Sequence, residues 1–326
     1  MNAIIEKLFR GPGIPVMPVM THPGIDLIGK SVQDAVTDGE VHANAIVALR
    51  KAWPQSVAAT TIMDLSVEAQ AFGADIVFEP GSVPTVSGRL LENADMVNAL
   101  FVPGLDAGRV PEYLKAVRLA SARIGVPLFG GCIGPFSLAG RLYEMTELMM
   151  AMYIEPDTAN TLLQKCTAFI MAYVKAMKEA GASGVVMAEP AAGLLSDDDC
   201  MTFSSAYVKQ IVDAVQDDGF AVILHNCGNQ GQCTNAMIAT GAAALHFGNA
   251  IDMETVLKSV PQDIAVMGNI DPVGVFKMGT PDDMRSAVTH LKEISKGYSN
   301  YVLSSGCDVP PETPEANIAA FYESAR

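Results

Sequence analysis

The chain has 326 residues, 50% of them hydrophobic, with a mean hydropathy of +0.27, which is enough for one large buried core. Its 21 Lys and Arg against 36 Asp and Glu give a formal net charge of −15 with no local basic cluster, which argues against nucleic acid as a partner. Six scattered cysteines exclude a disulfide scaffold, no apolar stretch is long enough to span a membrane, and Glu6, Lys7 and Arg10 break the run a signal peptide would need, so a cytoplasmic protein with reduced thiols is expected.

In chain order, short β-rich runs alternate with longer amphipathic segments. The runs cover 15–20, 57–64, 126–131, 184–189, 221–226, 243–248, 264–270 and 301–306. Residues 73–90, after the second run, read as a small inserted hairpin. Helical segments are expected over 110–124, 157–180, 197–216, 252–259, 281–296 and 314–325. Two of them open with Thr280-Pro281-Asp282-Asp283 and Thr313-Pro314-Glu315, an N-cap before a proline in the first turn. Eight strands with intervening helices predict an α/β (β/α)8 TIM barrel, a single domain over 1–326 with a β insertion after the second strand. An open doubly wound sheet is the alternative. No linker or long internal repeat divides the chain.

A barrel gathers its reacting groups at the C-terminal ends of its strands. The polar residues that close the runs are His22; Asp64 and Glu68; Glu189; His225 and Cys227; His246 and Asn249; Asn269 and Asp271; and Cys307. In His225-Asn226-Cys227-Gly228-Asn229, two side chains of zinc-binding type are separated by one residue, and strand alternation can point both to one side. Cys307 ends the last run, and three N/S ligands from two loops leave the open tetrahedral position a catalytic zinc needs. By spacing alone, a satisfied core histidine and two cysteines buried as small hydrophobes remain an alternative. Cys132, Cys166, Cys200 and Cys233 read as packing residues, with Cys233 the nearest to a further ligand because it lies six positions after Cys227. The stretch Gly130-Gly131-Cys132-Ile133-Gly134-Pro135 offers either backbone amides to an anion or a tight strand-to-helix turn. No G-x-S-x-G elbow, Walker-type loop, H-E-x-x-H helix or G-x-G-x-x-G turn occurs.

Over nearly its whole length the chain resembles the uroporphyrinogen decarboxylase superfamily, and within it the zinc-dependent corrinoid methyltransferases of the methylcobamide:coenzyme M type. The resemblance rests on Pro15-Val16-Met17-Pro18-Val19-Met20, Asp64-Leu65-Ser66-Val67-Glu68-Ala69 with Gly73, Glu189-Pro190 with Leu194-Leu195-Ser196, His225-Asn226-Cys227-Gly228-Asn229, Gly268-Asn269-Ile270-Asp271-Pro272, and Ser305-Gly306-Cys307-Asp308-Val309-Pro310-Pro311-Glu312-Thr313-Pro314 with Asn317. It implies a (β/α)8 barrel whose zinc ligands are His225, Cys227 and Cys307. It further implies methyl transfer between a corrinoid (methylcobamide), carried on a separate corrinoid protein, and a zinc-activated thiol or related small-molecule acceptor. The decarboxylase branch is marked by an arginine-containing motif after the first strand that grips substrate carboxylates, and here that stretch is Met20-Thr21-His22-Pro23-Gly24. A tetrapyrrole decarboxylase and a non-catalytic corrinoid or tetrapyrrole binder are the alternative functions. Glu189, Asp64 and His246 are the expected supporting catalytic residues, holding the acceptor or orienting a ligand, with Glu68 and His22 weaker choices of the same kind.

Overall fold

The computed structural model describes residues 1–11 and 13–326. Among the described residues there are nine strands: β1 (Ala59–Thr60), β2 (Ile76–Val77), β3 (Thr85–Val86), β4 (Leu128–Ile133), β5 (Gly184–Ala188), β6 (Ala221–Asn226), β7 (Ala244–Phe247), β8 (Ala265–Ile270) and β9 (Tyr301–Ser305). Seven of them form one parallel sheet in the order β1-β4-β5-β6-β7-β8-β9. The expected inserted hairpin is the antiparallel pair β2 and β3, with Ile76 opposite Val86. Strands β4, β5, β6, β7 and β9 are buried along their whole length, as parallel strands covered on both faces must be.

The first apolar run differs from its expectation as a regular strand, because Pro15 and Pro18 have no N–H to give a ladder. It still closes the ring. Leu303 N donates to Pro15 O and Met17 N to Leu303 O, both at 2.9 Å, while Val57 N donates to Val16 O at 2.9 Å from the chain entering β1. The sheet is therefore a TIM-barrel-like α/β fold with the proline-containing run in the eighth position.

Side-chain alternation along these strands defines two environments. Phe129, Val186, Ala188, Ala221, Ile223, Ala244, Ala265, Met267 and Val302 form one buried cluster inside the ring. Ile4, Ile5 and Leu8 of the helix Ala3–Leu8 belong to the same cluster. Residues of the other parity pack outward against the helices.

Most expected helices fall close to their places: Val110–Ile124, Pro156–Glu179, Met253–Ser259, Pro281–Ile294 and Glu315–Ala325. Thr280 and Asp283 form a reciprocal capping box at the start of Pro281–Ile294. Thr313 departs from its expected capping role. Its hydroxyl donates to Pro310 O at 2.8 Å, and the helix begins one residue later with Pro314 at the N-cap. The segment expected as one helix over 197–216 widens into a π-helical turn at Met201–Ser205 between Asp197–Cys200 and Ala206–Val215. Among the described residues no helix is long and apolar enough to cross a membrane.

Candidate metal centre

Parity decides which polar residues enter the ring. His225 follows Ile223 by two, His246 follows Ala244 by two and Ser304 follows Val302 by two, so all three continue the inward-facing positions of β6, β7 and β9. His225 and His246 are directly opposite each other in the parallel register of β6 and β7. Cys227 lies just beyond the end of β6 and Cys307 two residues beyond β9.

These positions bring the expected ligands together. One donor atom from each of His225, Cys227 and Cys307 lies within 4.8 Å of the other two. The histidine is buried and the two cysteines are partly exposed, so the cluster opens toward solvent on the sulfur side. His225 Nδ1 is 2.7 Å from His246 Nδ1, and His246 Nε2 is 3.0 Å from Ser304 Oγ. His225 Nε2 is buried with no hydrogen-bond partner, an arrangement whose desolvation cost a metal bond would offset. The contact between the thiols pulls Cys227 down to about 7, and the same contact pushes Cys307 up to about 12. One sulfur is thus close to giving up its proton at neutral pH.

Close backbone approach holds the turn that carries Cys227. A Cβ on Gly248, in the loop after β7, would lie 2.7 Å from Cys227 Cα and 2.9 Å from Cys227 Cβ. A Cβ on Gly193 would lie 2.3 Å from the carbonyl carbon of Gly228, next to Cys227. Neither glycine, nor Ser304, was among the residues singled out from the sequence. The i, i+2 relation to Val302 was the available signal for Ser304, whereas the glycine contacts join separate loops and leave no local trace.

The other expected residues are placed elsewhere. Glu189 has the outward parity, Asp64 lies four residues beyond the end of β1, and neither is in the cluster that could hold a metal. Asp64 pairs with Arg109 and accepts from Tyr113 Oη at 2.8 Å and Ser66 Oγ at 2.6 Å. Arg109 in turn donates to Gln70 Oε1 and Ser66 Oγ. Glu189 Oε1 accepts from Phe136 N at 2.6 Å, and its carboxylate also takes Ser137 N and Ser204 Oγ. The amides at the start of Pro135–Tyr143 therefore do meet an anion, one supplied by the chain itself, and Pro135 begins the helix. Burial nevertheless pushes Glu189 up to about 7.

Glu68 accepts from Ile133 N at 3.0 Å, and burial pushes it up to about 8. His22 Nε2 is 3.4 Å from Asp308 Oδ2, beside Cys307, and Asp308 also accepts from Met63 N. The remaining four cysteines are buried; Cys233 Sγ lies 3.3 Å from Ala192 O and stands apart from the metal cluster.

Comparison with known proteins places these features in a family. The uroporphyrinogen decarboxylase (URO-D) model matches residues 10–326. The chain belongs to this family. It is 32% identical over 270 residues to the methylcobamide:CoM methyltransferase MtbA of Methanosarcina mazei, covering 81% of this chain and 77% of that one. It is 30% identical to the uroporphyrinogen decarboxylase of Serratia proteamaculans, covering 82% and 77%. A solved methyltransferase from Methanosarcina mazei superposes with a TM-score of 0.89 at 23% identity, covering 100% of this chain and 98% of that one, and shares its URO-D-type fold.

Proposed function

We propose that this URO-D family member is a corrinoid-dependent methyltransferase in which His225, Cys227 and Cys307 hold a zinc ion that activates a thiol or related acceptor. The observation that carries the reading is the meeting of three N/S donors from His225, Cys227 and Cys307, with His225 Nε2 buried and unpartnered. The similarity to methylcobamide:CoM methyltransferases supports the reaction class and a methylcobamide as the donor; in this reading the corrinoid is borne on a partner protein. Bound there, zinc would lower the pKa of an acceptor thiol and hold it as an electron-rich thiolate. The chain supplies the complementary charge: two thiolates and a neutral imidazole balance a divalent ion, which suits a nucleophile better than the polarisation of a carbonyl. Partial exposure of both cysteines leaves the sulfur side accessible from the barrel mouth, while His225 anchors the buried side.

Because both thiol protons must leave on binding, zinc affinity is expected to fall with decreasing pH throughout the range in which Cys307 is protonated, and more steeply below about 7, where Cys227 regains its proton as well. The purified protein is expected to carry about one zinc per chain, measured by mass spectrometry of the metal, and Cys307→Ala to lose it. Methyl loss from methylcobalamin, followed spectroscopically against a panel of thiols and other acceptors, then identifies the acceptor. A parent protein that neither retains nor takes up zinc would remove the reading. Chelator-insensitive turnover of a porphyrinogen would favour the decarboxylase reading instead.

A further inference from the structure

The hydrogen-bond chain behind His225 runs His225 Nδ1, His246 Nδ1, His246 Nε2, Ser304 Oγ, Met17 O, and its far end has only one possible polarity. A carbonyl oxygen can only accept, so the Ser304 hydroxyl spends its single proton on Met17 O at 2.6 Å. Its oxygen then faces His246 Nε2 with lone pairs only, which requires a hydrogen on that nitrogen. His246 is wholly buried, and its ring hydrogen bonds go to His225 and Ser304 with no carboxylate between them, so the neutral ring is retained and its Nδ1 carries a lone pair. The 2.7 Å contact between the two Nδ1 atoms needs one hydrogen, and only His225 can supply it. In the neutral ring His225 Nε2 is then left as a bare lone pair, and with Nδ1 engaged by His246 it is the nitrogen free for the cluster with Cys227 and Cys307.

We propose that Ser304 and the Met17 carbonyl, acting through His246 as a positioning residue, lock His225 in the tautomer that offers Nε2 to a metal. A histidine ligand is usually oriented by a carboxylate, a carbonyl or water. Here a second neutral histidine takes that place, and the polarity is set two hydrogen bonds away on another strand. The affinity consequence rests on the metal reading above; the tautomers themselves do not.

Two measurements test it. In the metal-free protein, nitrogen-15 shifts of the histidine rings are expected to give protonated Nδ1 and bare Nε2 for His225, with the opposite for His246; a protonated His225 Nε2 overturns the proposal. Separately, His246→Asn keeps an acceptor near the Nδ1 position, while His246→Leu has the same shape without one. Zinc competition against a chelator is expected to show Leu weaker than the parent by about ten- to a hundredfold and Asn much nearer to the parent. Equal losses in the two variants would also overturn it, since a purely packing role does not distinguish them. If the parent itself binds no zinc, the metal reading fails while the nitrogen shifts still decide the tautomers.

Discussion

Glu68 shows how a buried acid couples folding to pH. Burial pushes its carboxyl from the ordinary 4.5 up to about 8, so the folded chain holds this proton more tightly than the unfolded chain. The stability it contributes is complete below about 4.5, declines as pH rises through the window to 8, and is lost above it. Glu189 acts in the same direction up to about 7, opposed by the helix amides that favour its charge. Glu68→Gln retains an oxygen for Ile133 N and removes the titration. Urea unfolding at pH 5 and pH 8.5 is expected to show a smaller loss of stability in this variant than in the parent, and an equal loss would mean that Glu68 does not carry the effect. The residue types at the strand ends were legible in the sequence, but their environments were not. Glu189 is separated from the ring interior by a parity that becomes visible only once β5 is in register, and Asp64 lies past the two-residue β1, where strand alternation gives no guide.

The turns after β6 and β7 depend on each other through one missing side chain. With Gly248 packed on Cys227, a methyl group at that position must move the cysteine turn or its own loop. Gly248→Ala is expected to keep the helical circular dichroism of the parent while weakening zinc binding by about tenfold or more, in the range seen when the support of a ligand is disturbed. Unchanged affinity would show that the cysteine turn can yield without displacing its sulfur. Regular periodicity made the helix Val110–Ile124 readable to the residue. The long segment 197–216 was harder, since its π-helical turn keeps the same helical composition on both sides. The first run was read by its apolar character, and its two prolines decided how it pairs.

The ligand set spans the ring, since His225 lies on β6 and Cys307 follows β9, with β7 and β8 between them. A metal bound only by the folded chain stabilises it by mass action, by about 2.7 kcal/mol at a hundred times its dissociation constant. Removing metal with a chelator is therefore expected to lower the melting temperature by several degrees, with recovery on adding zinc and no chelator response in Cys307→Ala. The same melting temperature with and without metal would mean that the three donors do not act as one site in the folded chain.

The alternation of inward and outward residues also bears on descent. The chain is nearly as similar to a protein named for decarboxylation as to one named for methyl transfer, 30% against 32%. Asp64 with Arg109 and Glu189 with its helix amides make contacts that involve none of His225, His246 and Ser304. The inward layer of His225, His246 and Ser304 can then change its chemistry without dismantling those supports. Divergence of activity in such a barrel would need few substitutions, concentrated at positions that overall identity barely registers.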